Sequence, residues 1–158
     1  MPHRLHNVLG LKETEMYVTS ILNDKGRNVE TAGIAATIGE IVDKLAALRV
    51  GAIVITRDSG EVAGIVSERD VVQGIAQFGA QVLQSPVSKI MTENVVTCSE
   101  DDTIDELMAR MTESRFRHLP VMSGDKLNGI ISIGDIVKHR VAEIEMEASA
   151  MRDYIKTG

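Results

Sequence analysis

The 158-residue sequence contains no tryptophan and only two phenylalanines and two tyrosines. A core must therefore be assembled from Val, Ile, Leu, Met and Ala. One cysteine is present, Cys98, so no intramolecular disulfide can form and nothing points to an oxidising compartment. No apolar run reaches the ~18 residues needed to span a bilayer. Residues 1–11 lack the basic and then apolar layout of a signal peptide and read as a flexible terminus. Basic residues number 17 against 23 acidic ones, a formal charge of -6. Binders of a phosphate backbone need clustered Lys and Arg, so nucleic acid is not an expected partner. A soluble cytoplasmic protein with no membrane contact is the expectation. The hydrophobic fraction of 44% is enough for a packed core and too high for a disordered chain.

The chain contains one unit twice. Val29-Glu30-Thr31 recurs as Val95-Val96-Thr97, and Thr37-Ile38 recurs as Thr103-Ile104. Further on, Gly64-Ile65-Val66-Ser67-Glu68-Arg69-Asp70 recurs as Gly129-Ile130-Ile131-Ser132-Ile133-Gly134-Asp135. The first unit predicts a strand at Val29 to Thr31, then a helix from Ile38 to Ala47 with Ile38, Ile41, Val42, Leu45 and Leu48 on its apolar face. Strands at Ala52 to Thr56 and Val62 to Val66 follow, joined by a turn at Asp58-Ser59-Gly60, and Ser67 caps a helix to about Ala76. The second unit predicts a strand at Val95 to Thr97. Its helix runs from Thr103 to Met111, with Ile104, Leu107, Met108 and Met111 inward. Strands at Leu119 to Met122 and Leu127 to Ile131 follow, and then a helix opened by Ser132.

Such small units cannot cover their own sheets. They are expected to pack on each other about an approximate twofold axis, with two clefts between them. Two more helices are expected outside the repeat, from about Thr14 to Asn23 and from about Val137 to Tyr154. They either close the module's edges or extend a subunit interface. The resulting division is a terminus at 1–11, a first repeat with its N-terminal helix at 12–80, a second repeat at 81–142 and a helical extension at 143–158.

The duplicated serine and aspartate admit two readings. Ser67 with Asp70, and Ser132 with Asp135, are capping boxes at helix starts. The same placement lets a carboxylate accept hydrogen bonds from both hydroxyls of a ribose, with Ile65 and Ile130 beside an adenine face. Arg115, Arg117 and His118 add a basic cluster before a strand, suited to phosphate or to salt bridges across the repeat. Arg69 either faces the cleft or is solvated. Catalysis finds little support. No base accompanies Cys98, His3 and His6 lie in the terminus, His139 falls on the polar side of the last helix, and no metal-ligand spacing or Gly-x-Gly-x-x-Gly fingerprint occurs.

Taken together with Met91-Thr92 and Arg117-His118-Leu119-Pro120-Val121, the two motif copies resemble a stand-alone tandem pair of CBS (cystathionine-beta-synthase) domains, the Bateman module, over about residues 12–142. The resemblance implies an α/β fold of the α+β type. Two pseudo-twofold related β-α-β-β-α units pack their small sheets together, with flanking terminal helices. It implies a non-enzymatic regulatory module that binds AMP, ATP or NAD(H), senses energy or redox state and signals to a protein partner. It also implies a homodimer formed through the helices, with no catalytic cofactor. Asp70 and Asp135 would hold ribose, Ser67 and Ser132 would lie near ribose and phosphate, Thr31 and Thr97 near base or phosphate, and Arg117 and His118 on phosphate. Pro120 belongs to the same motif. The clefts should differ, because Gly51 and Ala52 stand where the second unit has Arg117 and His118, and Gly134 stands where the first has Arg69. A purely structural or protein-interaction module is the alternative.

Overall fold

The computed structural model describes residues 16–157. The expectations for residues 1–11, including His3 and His6, and for a helix start at Thr14 fall outside them. The elements in order are α1 (Val18–Lys25), β1 (Thr31–Gly33), α2 (Ile38–Leu48), β2 (Ala52–Thr56), β3 (Val62–Ser67) and α3 (Glu68–Phe78). After two 3-10 turns, Ala80–Gln84 and Val87–Lys89, come α4 (Ile104–Ser114), β4 (His118–Ser123), β5 (Lys126–Ser132) and α5 (Ile133–Thr157).

Both first helices start from a capping box. Thr37 Oγ1 accepts from the Glu40 N–H at 3.2 Å while Glu40 Oε2 accepts from the Thr37 N–H at 3.1 Å. Thr103 and Glu106 repeat this at 3.2 and 3.1 Å. Helix α2 buries Ile38, Ile41 and Leu45, leaving Leu48 exposed, and α4 buries Ile104, Leu107 and Met111. Met108 was expected inward but is 38% exposed. The buried stripe of α4 is narrow, and Met108 falls at its edge. Both helices end on an arginine in the left-handed region, Arg49 at φ 54° and Arg115 at φ 61°.

In the first sheet β1 runs parallel to β2, which pairs antiparallel with β3 from Ala52 opposite Ser67. The second sheet has only β4 and β5, paired from His118 opposite Ser132. Each hairpin carries an irregularity at the matching place, Ile55/Thr56 and Val121/Met122. The strand expected at Val95 to Thr97 is absent, and only Cys98 bridges to Val121. Likewise β1 shares only Thr31 with its predicted span and runs on to Gly33. A two- or three-residue edge pairing is decided by where the chain reaches the sheet, not by β-branched residues in sequence.

The segment before each unit packs on the other unit. Helix α1, which precedes the first unit, buries Val18, Ile21 and Leu22 with Ile104, Leu107, Leu119 and Ile131 of the second. The connection between units buries Val82 and Val87 with Ile38, Ile41 and Ile53 of the first. Matching hydrogen bonds fasten both. The Ile38 N–H donates to Ser85 O and the Val87 N–H to Ala36 O; the Ile104 N–H donates to Met16 O and the Val18 N–H to Asp102 O, all at 2.9 Å. This reciprocity follows the approximate twofold relation of the repeats. It also explains the glycine that opens each motif copy. A Cβ at Gly64 would lie 2.8 Å from Thr92 O and 2.9 Å from Met91 Sδ, and one at Gly129 would lie 2.8 Å from Leu22 Cδ2. The glycine is where the exchanged segment crosses the sheet.

The last core helix and the expected tail helix are one, α5, of 25 residues. Beyond Ile136, which is buried, its apolar side chains Val141, Ile144, Met151 and Ile155 are exposed by 49–71%. His139, expected on the polar side, is only 17% exposed, with Nε2 3.5 Å from Asp24 on α1.

Candidate functional site

Helices α3 and α5 begin at the ends of β3 and β5, so each motif serine stands at a strand end and a helix mouth. The capping geometry is present in both. Asp70 Oδ2 accepts from the Ser67 N–H at 2.8 Å and from Ser67 Oγ at 3.0 Å, and the Asp70 N–H donates to Ser67 Oγ at 3.3 Å. Asp135 Oδ2 accepts from the Ser132 N–H at 2.8 Å, and the Asp135 N–H donates to Ser132 Oγ at 3.1 Å. Both carboxylates are half-buried. Capping uses Oδ2 and leaves Oδ1 without a donor among the described residues, so a cap can also accept a hydroxyl from a ligand.

The two copies differ in their contacts: Ser67 Oγ reaches Asp70 Oδ2, whereas Asp135 Oδ2 meets a cation. Lys25, in the last turn of α1, donates to Asp135 Oδ2 at 2.7 Å and to Ile130 O at 2.9 Å. Burial acts to raise the Asp135 carboxyl, but the Lys25 ammonium and the Ser132 N–H outweigh it and hold it below the usual carboxylate range. In the first half the equivalent carbonyl, Ile65 O, accepts instead from the Thr92 backbone N–H at 2.9 Å, and the Ile65 N–H donates to Thr92 O at 3.0 Å. Nothing local in the sequence marks Lys25 as a site residue. Its partner is 110 positions away.

Three of the predicted basic residues converge. Arg69, in the first turn of α3, and Arg115 and Arg117, in the loop between α4 and β4, line one cavity of about 350 Å³ with Met111, Thr112 and Ile133. None of the three guanidiniums has an acid partner or a side-chain hydrogen bond among the described residues. Ile133 opens α5 and Arg69 sits in the first turn of α3, so two helix N-termini add their partial positive charge. In an acidic protein, such an uncompensated cluster favours an anion.

His118 lies across from the first unit. A Cβ on Gly51 would stand 3.1 Å from its Nε2, so the imidazole packs on the Gly51 backbone. Burial holds the His118 ring below its ordinary value; Asp135 and Glu68 oppose this, and Lys25 and Arg117 reinforce it. The ring is therefore neutral at pH 7 and acts as a hydrogen-bonding group rather than a cation.

The other predicted positions are scattered. Ala52 and Ile65 are buried, and Ile130 is half-buried. Thr31 begins β1, and its carbonyl accepts from Lys44 Nζ. Thr97 is exposed, its carbonyl 3.3 Å from Arg110 Nη1. Pro120 is buried in β4, and its carbonyl accepts from the Cys98 N–H at 3.0 Å. Burial pushes the Cys98 thiol up to about 12, which leaves no thiolate for chemistry. No group of three His, Cys, Asp or Glu among the described residues could hold a metal ion. No described helix is long and apolar enough to cross a membrane.

Residues 21–77 and 87–142 each match the CBS domain. A crystal structure of a CBS-domain containing protein from Agrobacterium tumefaciens is similar at 47% identity, covering 82% of this chain and 97% of that one, with a TM-score of 0.79. The CBS domain protein of Pyrobaculum aerophilum, solved in complex with AMP, is similar at 26% identity, covering 84% and 99%, with a TM-score of 0.72. A mitochondrial CBS domain-containing protein of Arabidopsis thaliana is 28% identical over 149 residues, covering 89% of this chain and 72% of that protein. Other curated relatives are longer. The chain spans 32% of a Thermofilum pendens protein and 20% of a further Arabidopsis CBS domain-containing protein.

Proposed function

Because the chain belongs to the CBS-domain family, a family of regulatory, non-catalytic modules, we propose that it binds an adenine nucleotide and passes the binding on as a change of conformation. The observation that carries this reading is the juxtaposition at the start of α3. Asp70 presents a carboxylate whose second oxygen is unspent by its cap. Its neighbour Arg69 joins Arg115 and Arg117 around the cavity. A ribose at Asp70 and phosphates among the arginines match the two chemistries of one nucleotide. The Pyrobaculum relative solved with AMP supports the same class of ligand. AMP, ATP and NAD(H) are the candidates, and three guanidiniums favour those with more than one phosphate.

Ligand binding would bring residues of both units together, Arg69 from one and Arg117 from the other, and so alter their relative seating. The exposed stripe Val141, Ile144, Met151 and Ile155 of α5 suits a helix-mediated homodimer, through which such a change would reach a protein partner. A cytoplasmic location accords with this reading.

Calorimetric titration with AMP, ATP and NADH tests it. At least one is expected to bind, and Asp70→Asn is expected to weaken it roughly tenfold or more, the worth of hydrogen bonds to a charged group. Mass spectrometry of ligand released from freshly purified protein would identify the species. Absence of binding by all three at millimolar concentration to folded protein refutes the proposal. Dimerisation that survives with no nucleotide dependence would favour a purely structural module.

A further inference from the structure

We infer that Lys25 restricts adenosine binding to the Asp70 half by occupying the ribose carboxylate of the other. The inference rests on the nucleotide reading above and deepens it, since it assigns which site is open and names the residue that closes its counterpart. Asp135 shares with Asp70 the reciprocal backbone bonds of its cap, the helix mouth and the half-buried setting, without the Ser67 Oγ contact that Asp70 Oδ2 has. The charged group that separates them is the ammonium 2.7 Å from Asp135 Oδ2. Lys25 and the cap share Oδ2, so a ribose hydroxyl approaching Asp135 meets a carboxylate already neutralised by an ammonium, and must crowd or displace a charge-assisted hydrogen bond between partly buried ions that Ile130 O also anchors. Among the described residues, no such contact occupies Asp70.

The exchange of segments accounts for this difference. In the first half the crossing segment is extended at Thr92, so its backbone satisfies Ile65 in both directions. In the second half the crossing segment is still helical through Lys25, and the backbone N–H groups of its last turn are spent inside α1. The Ile130 carbonyl therefore takes a side-chain donor, and Lys25 is the residue that reaches it. Satisfying that carbonyl places the ammonium on Asp135. Charge works the same way, because Arg69 gives the Asp70 helix a cation at the arginine cavity, while Gly134 stands at the corresponding place in the other half. The second half keeps the fold of a nucleotide site but fills it from within.

Stoichiometry measures this directly. With AMP and, separately, ATP as titrants, the wild-type chain is expected to bind one equivalent, lost in Asp70→Asn and retained in Asp135→Asn. Lys25→Met is expected to bind a second equivalent, about fivefold tighter than any second event in the wild type, the change that removing a competing ion pair of ~1 kcal/mol produces. Lys25→Met combined with Asp135→Asn is expected to return to one. Lys25→Gln, which keeps a donor for Ile130 O and removes the charge, provides a milder variant should Lys25→Met fold poorly by circular dichroism. Two equal equivalents in the wild type, one needing each aspartate, overturn the inference and leave the nucleotide reading standing. So does a single Asp70-dependent equivalent in both folded Lys25 variants. No binding of either nucleotide to the wild type or to the variants overturns both readings.

Discussion

Arg115 holds two jobs that pull in opposite directions. Its backbone ends α4 in the left-handed region at φ 61°, where a side chain with a Cβ is strained, and its guanidinium lines the arginine cavity. A non-glycine residue there costs roughly 1–2 kcal/mol, and glycine gives back roughly 0.5–1 kcal/mol in unfolded-chain entropy. Arg115→Gly should therefore stabilise the fold by about 0.5–1 kcal/mol, a rise of roughly 1–4 °C in Tm for a chain of this size. Relief of repulsion from Arg69 and Arg117 acts in the same direction. The same change removes a charged donor from phosphate, worth about 1.5–3 kcal/mol, so ATP should bind roughly ten- to a hundredfold more weakly. Arg49→Gly is the matched control. It stands at the equivalent helix end with φ 54° but lies outside the cavity. Its Tm should rise similarly with ATP affinity unchanged. Thermal unfolding and calorimetric titration of both variants decide the matter. A fall in Tm for both variants would refute the backbone reasoning. Unchanged ATP affinity in Arg115→Gly would remove the cavity from the nucleotide site.

The motif glycines should differ in their tolerance of a methyl group. At Gly64 the added Cβ meets the Thr92 backbone oxygen at 2.8 Å, whereas at Gly129 it meets the tip of the Leu22 side chain, which can turn aside. Gly64→Ala should cost about 1–3 kcal/mol and Gly129→Ala distinctly less, read by chemical denaturation; equal losses would contradict the crossing-point explanation. His118 should titrate below its ordinary value of about 6.5 by NMR. Its folded value is depressed, so the unfolded chain takes the proton first as pH falls. Stability should therefore decline from near pH 6.5 downward through the folded value, and His118→Gln should flatten that slope. A slope unchanged in the variant would count against burial as the cause.

Much of the fold was legible because it rests on short-range chemistry repeated twice. Thr37 with Glu40 and Thr103 with Glu106 announce their helices through a three-residue spacing, and both form capping boxes. The strand Ala52–Thr56 is a continuous apolar run and was placed to the residue. The edge strand at Val95 to Thr97 was not legible, since a lone bridge at Cys98 replaces it. Nor was the burial of His139, which depends on α1 lying beside α5. In the candidate site, Asp70, Asp135 and their serines could be placed from the motif alone. The convergence of Arg69 with Arg115 and Arg117 could only be suspected.

The order of residues by itself determined a duplicated α/β unit, its caps and turns, and the carboxylate at each helix mouth, because each of these is set within a few residues along the chain. Only the tertiary structure decided that the segment before each unit crosses to the other, that three arginines from both halves share a cavity, and that Lys25 reaches Asp135 across 110 positions. Such contacts depend on the path of the whole backbone through space, which carries no local signature. The two halves share a motif and differ in what that path brings against it.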